Sequence, residues 1–223
     1  MKIYKTNKAV LSVKNNPQQF LNGITSNSLD TQRNAFLNIH GKIIATFDQL
    51  KINDQEFLLV IEKEYIRPAL DHLDRYAKLS RATLTQESFN VYFDLDGFYE
   101  LKNDECAIGQ KKGKLVLTKN ILEQNVSDEE FTRFRLDHNI PMLGVDYRDE
   151  LLLNVSEDEF VSFTKGCYLG QEPISKVHNR SKPTWKLVVR YFDECSPEEQ
   201  SKMTSKVTDP QENRARGFIF VKN

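Results

Sequence analysis

The segment Lys165-Gly166-Cys167-Tyr168-Leu169-Gly170-Gln171-Glu172 gathers a thiol, an ammonium, a phenol, a carboxamide and a carboxylate within eight residues, together with two of the chain's nine glycines. Glycine permits positive φ and close approach of backbone to a ligand, so the spacing predicts a loop in which Cys167 is unshielded by the residue before it. Only the thiolate is a good nucleophile or metal ligand, and a nearby cation lowers a thiol pKa from its reference of about 8.5. Lys165, two residues away, is placed to do so, which makes Cys167 the candidate reactive thiol. Gln171 and Glu172 offer acceptors for the N–H and NH2 edge of a heterocycle. The competing reading is structural: a buried cysteine is a small hydrophobe, glycines make turns, and Gln and Glu are ordinarily solvated.

Other residue types set limits. Cys106, Cys167 and Cys195 contain no C-x-x-C spacing, and His40, His72, His138 and His178 have no tight ligand spacing. Neither a disulfide framework nor a metal site is therefore expected. With 31 Lys+Arg against 32 Asp+Glu, the net charge of -1 excludes a globally basic nucleic-acid binder and leaves room for a local patch. Such a patch is present: Lys176, Arg180, Lys182, Lys186 and Arg190 fall in a stretch without acids, before the acidic Asp193, Glu194, Glu198 and Glu199. It suits an anionic ligand tail or nucleic-acid phosphates, or is simply a solvated face. The N-terminus lacks the apolar run of a signal peptide, and no apolar stretch approaches the roughly 18 residues of a membrane span. The expected location is the cytoplasm, with no membrane partner.

The elements that must position these groups follow from pattern. A hydrophobic content of 39% is enough for a core, which rules out intrinsic disorder. Asn16-Pro17 predicts a capped short helix ending near Gly23, followed by a polar loop at 25–28. Residues 35–39, 42–52 and 56–61 read as an antiparallel meander with turns at His40-Gly41 and Asn53-Asp54. Ile66, Ala69, Leu70, Leu73, Tyr76 and Ala77 recur at helical spacing between 64 and 79. Strands are expected at 82–84, 91–95, 114–118, 186–192 and 217–221, with Gly109 in a turn. The Ser127-x-x-Glu130 capping box opens a helix to about 137, and Ser156-x-x-Glu159 repeats that pattern. The fold class is α+β.

The eight-residue segment, read as Lys-Gly-Cys-Tyr-x-Gly-Gln-Glu, resembles the signature of YgfZ-type folate-binding proteins, relatives of the glycine-cleavage T-protein, an aminomethyltransferase. Collinear stretches are similar to the same family: Phe20-Leu21-x-x-Ile24-Thr25-Ser26-Asn27, Asn38-x-x-Gly41-Lys42-Ile43, and Arg135-Leu136-x-x-Asn139-Ile140-Pro141-x-x-Gly144. In the last, Asn139 replaces a glycine, and asparagine tolerates left-handed backbone. The resemblance implies a T-protein-like fold with ferredoxin-like α+β units: a folate-binding body over 1–183 and a shortened C-terminal β segment over 184–223, too short for the family's barrel.

The cofactor so implied is tetrahydrofolate or a derivative, with Lys165, Gly166, Tyr168, Gly170, Gln171, Glu172, Asn27, Glu150 and Trp185 as binding candidates. Trp185 would stack on the pterin, or else pack in the core. Glu150 is chosen from the acidic group Asp146, Asp149 and Glu150, where the family places a pteridine-binding carboxylate. The T-protein's paired aspartates correspond by counting to Ala45 and Thr46, which cannot ionise; Asp48 shares the facing of Thr46 one alternation further on. The implied role is therefore support of iron–sulfur protein maturation or repair, with effects on tRNA modification, and client or assembly proteins rather than nucleic acid as direct partners. The alternatives are a folate-dependent aminomethyl or one-carbon transferase, and an RNA- or protein-binding module using the 176–190 stripe.

Overall fold

The computed structural model describes residues 1–156 and 158–223. In chain order the elements are β1 (Ile3–Lys5), β2 (Lys8–Lys14), α1 (Pro17–Ile24), β3 (Arg33–Leu37), β4 (Ile43–Asn53), β5 (Glu56–Glu62), α2 (Ile66–Ser80), β6 (Thr83–Glu87), β7 (Asn90–Asp94), β8 (Cys106–Gly109), β9 (Lys114–Thr118) and α3 (Asp128–Asp137). They continue with α4 (Leu152–Val155), α5 (Gln171–Arg180), β10 (Trp185–Tyr191), α6 (Pro197–Lys202), β11 (Thr204–Asp209) and β12 (Arg214–Lys222). The strands form three antiparallel sheets, ordered β3-β4-β5-β2-β6, β1-β7-β9-β8 and β10-β12-β11. The architecture is α+β, as the sequence pattern implies.

The five-stranded sheet is covered on both faces. Leu11, Val13, Leu59, Ile61, Ala45 and Phe47 point into a core closed by Phe20 and Leu21 of α1 and by Ile66, Ala69, Leu73 and Ala77 of α2. From the opposite face Val10, Leu58 and Val60 pack against Val91, Phe93, Leu115 and Leu117 of the four-stranded sheet and against Phe131 of α3. Strands β2 and β5 are buried on both faces, so β5 reads as an unbroken apolar run and β2 as one interrupted only by Ser12, rather than as alternations. That is why β2 carries no period-two signal and is absent from the sequence-based element list.

Local signals mostly hold. Ser127 Oγ accepts from the Glu130 amide at 3.2 Å and starts α3, but Glu130 closes only half the capping box because its carboxylate binds Lys2 at 2.9 Å. Asn139 (φ 49) and Gly144 (φ 86) hold the left-handed conformations that the Arg135–Gly144 pattern requires. Ser156 likewise accepts from the Glu159 amide, but the described residues 158–160 form a turn rather than a helix, and the Glu159 carboxylate pairs with Arg33 and Lys111. Asn16 does not cap α1 with its side chain, and it sits in left-handed backbone itself. Gly109 ends β8 instead of forming a turn; the turn is at 110–113, where Gln110 N–H donates to Gly113 O at 3.1 Å. No helix among the described residues is long and apolar enough to cross a membrane.

Candidate functional site

The facing surfaces of the two larger sheets are apolar at one end and open at the other into a cavity of about 330 Å³. Strand alternation chooses its lining: on β4, Ala45 and Phe47 point to the helix-covered core, while Thr46 and Asp48 point to the cavity. Tyr4, Phe93 and Phe131 supply an aromatic wall, with Tyr4 and Phe131 stacked at 4.0 Å between centroids. Residues 140–145, Tyr147 and Arg148 close the remaining side.

The floor is a balanced cluster of buried charge. Arg33 faces Asp48 in the β3–β4 register, with Nε 3.5 Å from Oδ1. Lys8 faces Glu62 in the β2–β5 register, its Nζ 2.7 Å from Glu62 Oε1 and 3.8 Å from Asp48 Oδ2. Gln110 Nε2 donates to Asp48 Oδ1 at 2.9 Å. Burial alone depresses the Lys8 pKa, but the carboxylates of Glu62 and Asp48 outweigh it and the net shift is upward. Lys8 and Arg33 thus face Glu62 and Asp48 across the strands, and Arg33 also pairs with Glu159; opposite charges in contact are the arrangement in which charge is kept inside a protein.

Beside this cluster, Thr46 Oγ1 and the Tyr147 hydroxyl lie 2.7 Å apart and both residues are buried. Burial raises the Tyr147 pKa, so the phenol keeps its proton. Two hydroxyls that share one hydrogen bond leave one O–H hydrogen to offer a ligand acceptor. The position that by counting corresponds to a transferase aspartate is therefore filled by a neutral donor, with the carboxylate of Asp48 two residues along the same strand face.

The signature segment lies elsewhere. Lys165 Nζ donates to Thr25 O at 2.7 Å, Asn27 O at 2.9 Å and Thr25 Oγ1 at 3.3 Å, so its ammonium is held by backbone and hydroxyl oxygens after α1. Burial lowers its pKa to about 8. Tyr168 is buried in the main core, its ring 5.3 Å from that ammonium and its phenol pushed up to about 12 by desolvation. Cys167 is exposed. Gly170 (φ 84) is the glycine that matters sterically: a Cβ there would lie 2.5 Å from Asn38 O, whereas one on Gly166 would meet nothing within 4 Å. Gly41 (φ 73) seats the same hairpin against Pro173 and Ile174. Gln171 and Glu172 belong not to the loop but to the first turn of α5.

None of these residues lines the cavity, nor do Asn27, Glu150 or Trp185. Asn27 ties backbone together, its Nδ2 donating to Arg33 O and Glu159 O at 3.0 Å. Glu150 accepts from Asn154 at 3.2 Å. Trp185 stands half-exposed at the start of β10, across from Lys222. Among the acidic group, Asp149 pairs with Lys42 at the surface and Asp146 is buried against Arg135. Of the cavity groups that sequence reasoning missed, Lys8, Arg33, Glu62, Gln110 and Tyr147, two carried a readable signal as charges bordering mainly apolar strand runs: Lys8 before Ala9–Val13 and Glu62 after Phe57–Ile61.

The cavity fits a flat heterocycle with N–H donors on one edge. Asp48 offers acceptors, the Thr46–Tyr147 pair a donor, and Tyr4, Phe93 and Phe131 an aromatic wall. Its volume lies within the range of about 300–1,000 Å³ usual for small-molecule sites.

No protein-family model matches the chain. It is 25% identical over 203 aligned residues to the iron–sulfur cluster assembly factor IBA57 homolog, mitochondrial, of Dictyostelium discoideum, covering 74% of this chain and 48% of that protein. It is 26% identical over 160 residues to an uncharacterised protein of Haemophilus influenzae, covering 63% and 52%. The chain spans about half the length of these curated relatives. In structure it is similar to the glycine cleavage system aminomethyltransferase T from Bartonella henselae, with a TM-score of 0.72 at 10% identity over 99% of this chain and 78% of that one. In fold the chain is T-protein-like.

Proposed function

We propose that this protein binds tetrahydrofolate or a derivative in the cavity between its two larger sheets and acts as an accessory factor in the maturation or repair of iron–sulfur proteins. Effects on tRNA modification would then arise through iron–sulfur enzymes. The observation that carries the reading is the cavity itself: a T-protein-like fold with an aromatic wall and Asp48 beside the Thr46–Tyr147 hydroxyl pair. The name of the Dictyostelium relative supports the iron–sulfur part. Three free cysteines suit a reducing interior compartment.

The chain's own residues bind and orient. Asp48, fixed by Arg33, Lys8 and Gln110, accepts from ring N–H groups, and Thr46 with Tyr147 donates to a ring acceptor. Tetrahydrofolate, when bound, supplies an acceptor for one-carbon units. Calorimetric titration with 5-formyltetrahydrofolate tests the site. Wild type should bind, Asp48→Asn should weaken binding by at least about tenfold through loss of a charged hydrogen bond, and Cys167→Ser should leave affinity unchanged. No saturable heat from wild type at millimolar ligand would sink the folate claim. Complementation of an iron–sulfur defect tests the second half: Cys167→Ser should abolish it in a folded protein, and full complementation would return that thiol to a structural role.

A second reading, a folate-dependent one-carbon transferase, draws on the place of Asp48 in the cavity. Methylene transfer from an aminomethyl donor, lost in Asp48→Asn, would put it first.

A further inference from the structure

The 139–148 wall of the cavity is held from behind by the C-terminal sheet. Arg135 lines the cavity and is 3% exposed. Its Nη1 pairs with Asp146 Oδ2 at 2.6 Å and donates to Ile140 O at 3.3 Å, and its Nη2 donates to Ser205 Oγ at 2.6 Å. Asp146 Oδ2 also accepts the Met142 N–H at 2.8 Å. Its other oxygen accepts from Thr204 Oγ1 at 2.8 Å and from Ser205 Oγ at 2.5 Å. The guanidinium carbon lies 6.0 Å from the Phe131 ring centroid in the cavity wall and 5.8 Å from that of Phe218 in β12. Two hydroxyls of β11 therefore complete the shell of a buried ion pair whose other contacts shape the cavity.

The backbone of β11 is bent to place them. Ser205 sits at φ 49, and the β11–β12 register shifts between Thr204 and Val207. A bulge re-aims side chains, and a non-glycine residue held in left-handed backbone persists when its surroundings over-determine it. Here the surroundings are the two charges: Ser205 Oγ accepts from the guanidinium and donates to the carboxylate, using both halves of a hydroxyl's capacity.

We propose that Thr204 and Ser205 are positioning residues: through Arg135 and Asp146 the C-terminal sheet sets the shape of the 139–148 wall, and with it the affinity of a cavity that neither residue lines. The inference rests on reading that cavity as a ligand site. It also makes the sheet a lever, since a partner that displaces β11 changes cavity affinity and, by reciprocity, bound ligand changes the partner's affinity.

The test uses the full chain, with 5-formyltetrahydrofolate titrated into wild type, Thr204→Val, Thr204→Ser and Ser205→Gly while thermal unfolding is followed in parallel. Glycine relieves the left-handed backbone at 205, so a loss there reports the hydroxyl rather than a distorted strand. Thr204→Val and Ser205→Gly should each bind at least about tenfold more weakly, the scale of a hydrogen bond to a charged group, while Thr204→Ser rescues. Both hydroxyl-deleted variants binding within about twofold of wild type would overturn the proposal. If wild type does not bind, the folate reading fails and amide exchange decides the strut in ligand-free protein. Exchange at Met142 and its neighbours should then be about tenfold faster in Ser205→Gly, and unchanged rates would overturn the strut by themselves.

Discussion

The 165–172 loop and the central cavity differ in how their residues come together. In the loop, eight consecutive residues follow a path fixed by backbone: Gly170 presses on the Asn38 carbonyl, Lys165 gathers the oxygens of Thr25 and Asn27, and Tyr168 fills the core. In the cavity, Lys8, Arg33, Asp48 and Glu62 come from four different strands and meet through cross-strand register. The loop is conspicuous in sequence because its geometry restricts residue types one after another. The cavity is inconspicuous because each strand contributes one or two side chains. A rare local motif therefore marks how the chain is routed beside a site, and ligand chemistry has to be sought in charges at the ends of buried strands.

The sharpest way to break this comparison is at Gly170. Gly170→Ala imposes φ 84 on an L-residue and drives a Cβ to 2.5 Å from Asn38 O, so urea unfolding should show a loss of about 2–4 kcal/mol. The fraction that remains folded should bind 5-formyltetrahydrofolate as wild type does. A stable Gly170→Ala protein that had lost the ligand would instead make the loop part of the binding surface. In the cavity, Tyr147→Phe removes one hydroxyl and should weaken the ligand by about 1 kcal/mol, roughly fivefold in calorimetry. That effect should be flat through neutral pH, because burial keeps the phenol protonated. Cys167→Ser, at an exposed position, should move stability by no more than about 0.5 kcal/mol in the same urea assay.

What was legible in the sequence follows the same division. The β3–β5 meander was readable because turn residues at His40-Gly41 and Asn53-Asp54 separate its strand runs, α2 because its apolar residues recur at helical spacing, and α3 because Ser127 caps it. The start of α5 at Gln171 was hidden by expecting glycines to prolong a loop. Pro173 was the signal to use, since proline is tolerated in a first helical turn. The helix α6 was equally readable, with Ser196 and Glu199 forming a complete capping box and Pro197 in its first turn, among the acidic residues that follow the basic stripe. Asp48 was placed on the correct strand face by alternation alone. That Lys8 and Gln110 would meet it was beyond reach, because nothing local specifies that β2 pairs with β5 or that the 110–113 turn reaches over β4.

Lys165 gives the smallest effect and separates the two regions most directly. Burial lowers its pKa to about 8, and the partners described for it are neutral oxygens of Thr25 and Asn27. In the unfolded chain a lysine titrates near 10.4, so below about pH 8 the ammonium is charged in both states and its burial cost is fully present. Between about pH 8 and 10.4 the unfolded chain binds more protons than the folded one, so this residue's contribution to stability becomes more favourable as pH rises. Relative to Lys165→Gln, which lacks the titration, the wild-type urea midpoint should therefore gain across that window and not below it. Alkylation of Cys167 supplies the counterpart. With the ammonium committed to backbone oxygens, the pH profile of thiol modification should be the same in wild type and Lys165→Gln. A profile that shifted to higher pH in the variant would show that Lys165 acts on the thiol after all, and the loop would then be a chemical site in its own right.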